Sequence, residues 1–260
     1  DANKLLGFTA DQTLQYAQSL YEKKYITYPR TDSRFLTEDM ENSLSVLANA
    51  TAEFFMPKEK LSVNTAQVID SFKVSDHHAI IPTLHIKGLD VQNLPAGERE
   101  TLLLLAIRLL VAIGDAHRYS ETVITAKCGG AVFTTKGKTV TQEGFKAVQR
   151  LYKGEQEKEE KDQALPSIAQ GDVLTAKAEI KEGKTSPPKP FTDDTLLSSM
   201  ENANKAEVDT ERKGIGTPAT RAGILEKLIK SGLAERKGDK KVKYFTATHK
   251  GTALITVLPE

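Results

Sequence analysis

Tyr25-Ile26-Thr27-Tyr28-Pro29-Arg30-Thr31-Asp32-Ser33 is the stretch on which the reading of this 260-residue chain turns. Its first four residues are strand formers, and Pro29 then blocks a helix and holds Tyr28 in an extended backbone. The preceding segment, Thr9 to Lys23, predicts an amphipathic helix: Thr9 can cap it, Gln12 stands at the reciprocal capping-box position, and Leu14, Ala17 and Tyr21 recur on one face. A phenol has a reference pKa of about 10 and attacks poorly unless a neighbouring cation or base assists it. Arg30 is close enough in sequence to be that cation. Its planar fork can bind two non-bridging oxygens of a phosphodiester as charge gathers on them, and it keeps its proton at working pH. A tyrosine at the edge of a core with an arginine in solvent is the structural alternative.

Working outward, a second helix is expected from Thr37, with Glu38 and Asp39 at the favourable end of its dipole. The longest apolar run, Leu102 to Ile113, is interrupted by Arg108 and falls short of the roughly 20 residues of a membrane span. It reads as a buried core helix, and helices dominate to about Gly114. After Tyr119 the pattern alternates. Strands are expected over Thr122 to Lys127, Ala131 to Thr135 and Lys138 to Gln142, with Lys136-Gly137 as the hairpin turn between the last two. Lys153 to Gln163 reads as a charged linker, Val173 to Ile180 as a further strand, and Gly183 to Pro190 as an extended crossing. From Thr192 helices return: Thr192 caps one, and Pro218 starts another over Ala219 to Ser231 that Gly232 stops. A basic hairpin, Ala234 to Thr246, turns at Lys237-Gly238-Asp239, and a last helix begins near Lys250. Helix, turn and basic hairpin together outline a winged-helix element. The expected class is multidomain α+β. Residues 1–120 form a helical tyrosine-bearing domain, 121–190 a strand-rich segment, and 191–260 a helical winged-helix-like DNA-binding segment.

Composition narrows the classes. A single cysteine, Cys128, rules out an internal disulfide, and no CxxC or His/Cys cluster suggests zinc. The setting expected is cytoplasmic, with no membrane partner. The chain opens at Asp1 within a helical lead-in and without an initiator methionine, so it is expected to be a piece of something longer. Net charge is only +1, but from Arg212 to Lys250 eleven Lys or Arg face three acids, a local balance of +8. That segment is the candidate phosphate-binding surface, with a solvated helix face as the alternative.

Three strings carry a family resemblance. They are Ile26-Thr27-Tyr28-Pro29-Arg30-Thr31-Asp32-Ser33 with its lead-in from Leu6-Gly7-Phe8-Thr9-Ala10, then His77-His78-Ala79-Ile80-Ile81-Pro82-Thr83, then Gly214-Ile215-Gly216-Thr217-Pro218-Ala219-Thr220-Arg221. In this order they closely resemble the active-site tyrosine, histidine and glycine-turn motifs of type IA DNA topoisomerases. Pro29 after the tyrosine is similar to the bacterial topoisomerase III branch. The resemblance implies that Tyr28 attacks a phosphate of single-stranded DNA and becomes joined to the 5′ phosphoryl end, leaving a free 3′ hydroxyl. It implies that Arg30 steadies the scissile phosphate and that His77, and less directly His78, lie near the same backbone. Around Gly214, glycines let the backbone approach a phosphate, and Thr217, Thr220 and Arg221 offer donors. A plain helix cap is the other reading of that turn, and a satisfied structural histidine the other reading of His77.

The family holds Mg2+ on acids of a separate N-terminal Toprim domain, and no such cluster occurs here. The expectations are no cofactor in this chain, Mg2+ and the Toprim domain in the parent, a monomer, and inability to cleave alone. The strand-rich middle would act as an arch that lets a second strand through. Asp193-Asp194 reads as a helix-start pair, not a metal site. The principal alternative is a non-catalytic winged-helix DNA-binding protein. A tyrosine recombinase or nicking enzyme, and an enzyme of small phosphorylated metabolites, are opposed by motif order and by the lack of a compact phosphate loop.

Overall fold

A short helix, α1 (Ala2–Leu6), leads into α2 (Ala10–Glu22), and both halves of the expected capping box form. Gln12 N donates to Thr9 Oγ1 at 3.1 Å and Thr9 N to Gln12 Oε1 at 3.0 Å. The computed structural model describes residues 1–55, 63–153, 165–177, 179–203, 214–239 and 242–258. The helix expected at Thr37 begins as a 3-10 turn, Glu38–Met40, and becomes regular in α3 (Glu41–Phe55). Thr37 makes no side-chain cap, and Glu38 N, the first of the turn, donates to Ser71 Oγ at 3.0 Å.

The apolar run forms the C-terminal part of α4 (Ala96–Ala112) and its C-cap residue Ile113, and it is buried as expected. Leu102, Leu104, Ala106, Ile107, Leu109 and Leu110 point to more than one side of the helix, the pattern of a helix packed all round. Ile107, Leu109 and Leu110 join Leu44, Leu47 and Ala48 of α3, together with Leu36 and Ile81. Leu102 joins Ala17 and Leu20 of α2, with Ile26 and Ile86. The tyrosine and histidine strings are therefore packed on the same central helix, through Ile26 in one group and Ile81 in the other.

Beyond α4 the chain forms β1 (Arg118–Cys128) and β2 (Ala131–Gln142), paired antiparallel and largely exposed. The hairpin turn is Gly129-Gly130, not Lys136-Gly137. Two consecutive positive φ values, 56° and 83°, are what a tight two-residue hairpin turn needs, and two glycines supply both. Gly137 instead lies inside β2 opposite Thr122. A helix not anticipated from the sequence, α5 (Phe145–Lys153), follows and returns Val148 to the core of α4. The expected strand over Val173 to Ile180 does not form among the described residues: Val173 and Ile180 are each 97% exposed. Alternation signals only a capacity to pair, and among the described residues no strand pairs with this segment. The expected linker lies outside the described residues from residue 154 onward.

The remaining elements are α6 (Asp193–Asn202), α7 (Arg221–Lys230), the antiparallel pair β3 (Ala234–Gly238) and β4 (Lys243–Ala247), and α8 (His249–Val257). Thr192 caps α6 in a capping box with Thr195. α7 starts two residues later than Ala219, because Thr217 to Thr220 first close a turn in which Arg221 N donates to Thr217 O at 3.0 Å. In the basic hairpin Gly238 still belongs to β3, and Asp239 Oδ1 accepts from Val242 N at 2.7 Å; Lys240 and Lys241 lie outside the described residues. The class is mixed helix and strand, and among the described residues no helix is long and apolar enough to cross a membrane.

Candidate nucleic-acid site around Tyr28

The path from α2 to Tyr28 is closed by a backbone device. Tyr25 N donates to Leu20 O at 2.9 Å and Lys24 N to Tyr21 O at 2.8 Å, the two bonds that end a helix on a left-handed residue. That residue is Lys24, at φ 65°, the one non-glycine with positive φ among the described residues. Thr83 Oγ1 donates to Lys24 O at 2.5 Å and holds it there. The histidine string thus braces the bend that delivers the tyrosine.

From there the two strings run antiparallel. Thr83 N donates to Tyr25 O at 2.9 Å and Thr27 N to Ile81 O at 3.0 Å. Thr27 Oγ1 donates to Ala79 O at 3.2 Å and accepts from Ile81 N at 3.0 Å. Thr31 Oγ1 donates to His77 O at 2.7 Å. This ladder fixes which residues face each other. The Tyr28 and His77 rings meet at a centroid distance of 4.4 Å, and Tyr21 of α2 meets Tyr28 edge-on at 5.4 Å. Tyr28 is half-buried, while Arg30 and His77 are exposed. His78 is half-buried and donates from Nδ1 to Ala79 O at 2.8 Å, which leaves Nε2 as its second hydrogen-bonding atom.

The glycine turn is a cluster of its own. Gly214 N donates to Ala203 O at 2.9 Å and Ile215 N to Met200 O at 2.8 Å, so the turn closes the C-terminal end of α6. A Cβ on Gly214 would lie 2.8 Å from Glu201 O and 2.9 Å from Met200 O, at a φ of 92°, and only glycine fits. Thr217 N donates to Thr220 Oγ1 at 2.9 Å, and the two hydroxyls are 3.1 Å apart. Arg221 does not project from the turn: its Nε donates to Ile215 O at 3.1 Å and its Nη2 to Gly216 O at 3.2 Å. Among the described residues no hydrogen bond, ion pair or ring contact joins Thr217, Thr220 or Arg221 to Tyr28, Arg30, His77 or His78. The link between the regions is one residue removed, where Arg34 Nη2 lies 3.9 Å from Glu201 Oε1.

A second constellation escaped the sequence reading. Asp193, 1% exposed, does not cap its own helix. Its Oδ1 accepts from Ala10 N, the first residue of α2, at 3.0 Å. The same carboxylate takes both Nε and Nη2 of Arg236 in β3, at 3.1 and 2.8 Å, and Arg236 also donates to Glu226 of α7 at 2.6 Å. Burial disfavours the Arg236 cation, but the hydrogen bonds to Glu226 and Asp193 outweigh it and raise its pKa above the ordinary value. Lys237 pairs with Glu235 at 2.6 Å, and Lys250 Nζ donates to Ser231 O at 2.8 Å. Several charges counted in the basic segment are therefore engaged within the molecule. Lys227, Lys230 and Lys243 have no such partner among the described residues. No group of three or more His, Cys, Asp or Glu that could hold a metal occurs among them either.

A half-buried tyrosine in ring contact with a histidine is the centre of this site. The family model for DNA topoisomerase matches residues 1–260, and the chain belongs to that family. It is 41% identical over 277 residues to DNA topoisomerase 3 of Bacillus licheniformis and 40% identical over 278 residues to DNA topoisomerase 3 of Bacillus subtilis (strain 168). A protein of the same name from Bacillus cereus is 38% identical over 282 residues. Each comparison covers 100% of this chain and 37% of the relative, so the chain spans little more than a third of their length.

Proposed function

We propose that this chain is the tyrosine-bearing part of a type IA DNA topoisomerase of the topoisomerase III kind. Tyr28 attacks a phosphorus of single-stranded DNA: the phenol gives its proton to water, its oxygen forms the new P–O bond, the bond to the 3′ oxygen breaks, and the 5′ phosphoryl end stays on the protein. The 3′ oxygen leaves as a hydroxyl, taking a proton from an acid outside this chain, and the reverse attack reseals the strand. The phosphotyrosine conserves the phosphodiester, so no nucleotide is hydrolysed.

Within this chain Arg30 is assigned to the non-bridging oxygens, where a fixed cation favours the charge of the transition state. His77, in ring contact with Tyr28, is assigned to the same phosphate, with His78 behind it. Thr217 and Thr220 are assigned to the DNA backbone farther along. Arg221 braces that turn through Nε and Nη2, and its Nη1, which makes no hydrogen bond among the described residues, is assigned to the same backbone. Among the described residues no acidic group fits a magnesium site, and the metal is assigned, by the family resemblance, to acids of a Toprim domain elsewhere in the parent. The ribbon β1–β2 is read as part of an arch, and α7 with β3–β4 as a winged-helix element in a segment from 191 onward.

The observation that carries this reading is the Tyr28–His77 contact within a hydrogen-bonded pairing of the two strings. The test uses the full-length protein, magnesium and single-stranded DNA labelled at its 3′ end, quenched with detergent. The expected result is a labelled protein–DNA adduct that disappears in Tyr28→Phe, and none from this chain alone. Intact DNA binding without an adduct would support a non-catalytic winged-helix binder instead.

A further inference from the structure

Phe72 is 99% exposed, the most exposed large apolar side chain among the described residues. Its backbone is nevertheless firmly held. It is the middle residue of a 3-10 turn, Ser71–Lys73, that is fastened to the segment continuing from Tyr28. Ser33 Oγ donates to Lys73 O at 3.0 Å, Glu38 N donates to Ser71 Oγ at 3.0 Å, and Asp70 N donates to Leu36 O at 3.0 Å. Lys73 is tied down as well, 2.8 Å from Asp70 Oδ2 and 4.4 Å from the centroid of the Phe35 ring. That ion pair holds the Asp70 carboxyl below its ordinary pKa. A rigid turn thus presents a bare aromatic ring whose adjacent charge is already neutralised.

Chemistry distinguishes what such a ring can take. A phosphate needs an unengaged cation, and this turn offers none. A nucleobase needs a flat apolar face, and aromatic rings that stand free beside a basic strip are the usual platforms for single-stranded nucleic acid. Cations are near: Arg30 and Arg34 lie exposed on the segment that anchors the turn, with Asp32 between them and Arg34 3.9 Å from Glu201, and the chain runs on from Phe72 to His77. Five residues reach at most about 17 Å. That is a span of only a few nucleotides.

We propose that Phe72 is a stacking platform for one base of the single strand whose phosphate lies at Tyr28, an inference that rests on the DNA reading above. The test measures binding by the full-length protein in a Tyr28→Phe background, so that cleavage does not intervene. Two strands of equal length are compared, oligo(dT) and an abasic strand with the same sugar-phosphate charge. Phe72→Ala and Phe72→Leu should weaken binding of oligo(dT) roughly 5- to 100-fold and leave the abasic strand unchanged, while Phe72→Trp restores the affinity. Equal affinities in all variants, or equal losses on both strands, overturn the proposal; the second result would assign the ring to a protein contact. If the parent with Phe72 intact binds neither strand, the DNA reading itself fails, which is a separate outcome.

Discussion

Arg30 lies exposed two residues beyond Tyr28, whereas Arg236, on the hairpin of the C-terminal part, is enclosed between two carboxylates with its side chain only 14% exposed. The same residue type does opposite work in the two regions. Around Tyr28 the shape is made by neutral groups, the backbone ladder and the hydroxyls of Thr27, Thr31 and Thr83, so the exposed Arg30 remains available to a ligand. In the C-terminal part the shape is made by the charges: Arg221 braces a turn, and Arg236 joins α6, α7 and β3 while its partner Asp193 reaches α2. A density of basic residues therefore measures binding capacity only where something else holds the fold. The comparison predicts that arginine variants will separate into those that unfold and those that merely inactivate.

The largest effect is expected at Asp193. Asp193→Ala leaves Arg236 largely buried with one partner removed and α2 without an acceptor for Ala10 N. Breaking a buried pair from one side costs about 3–5 kcal/mol. Chemical denaturation should show that loss, and a change below about 1 kcal/mol would mean that water or Glu226 replaces the carboxylate. Arg221→Ala comes next, at about 1 kcal/mol, because its two hydrogen bonds to carbonyls are solvent-exposed. If Arg221 contacts phosphate as well, DNA affinity would fall further than the stability loss explains.

How much was legible in the sequence follows the same division. The capping box at Thr9, the central helix over Leu102 to Ile113 and the basic hairpin all rest on neighbours within a few residues, and each was readable. The Asp193–Ala10 bond joins residues 183 positions apart, and nothing near Asp193 marks it as other than a helix-start acid. Two features were readable and were passed over. Gly129-Gly130 supplies both positive φ values of a tight hairpin, and Phe145, Val148 and Tyr152 recur at helical spacing in α5. The separateness of the Thr217–Thr220 cluster from Tyr28 depends on how the elements pack, which no local pattern encodes.

Lys24 offers a smaller test on the tyrosine side. A lysine at φ 65° carries a steric cost that glycine does not. Lys24→Gly should therefore stabilise the protein by up to about 1 kcal/mol, with the greater freedom of the unfolded chain reducing the gain. The measurement is a thermal or chemical melt. A loss of stability would indicate that the lysine side chain itself, and not only the Lys24 O to Thr83 bond, supports the bend.

The smallest stability change and the sharpest contrast belong to Arg30. An exposed side chain with no partner to lose among the described residues should tolerate Arg30→Ala within about 0.5 kcal/mol. If the group faces a phosphate in the transition state, the rate of adduct formation in the full-length protein should nonetheless fall by about 10²–10³-fold. Arg30→Lys should recover only part of this, because an ammonium cannot present the two parallel donors of a guanidinium. Equal rates for the parent and Arg30→Ala would remove Arg30 from the chemistry and leave His77 as the group beside Tyr28. A large stability loss would break the comparison itself, since it would place Arg30 with Arg236 among the arginines that hold the fold.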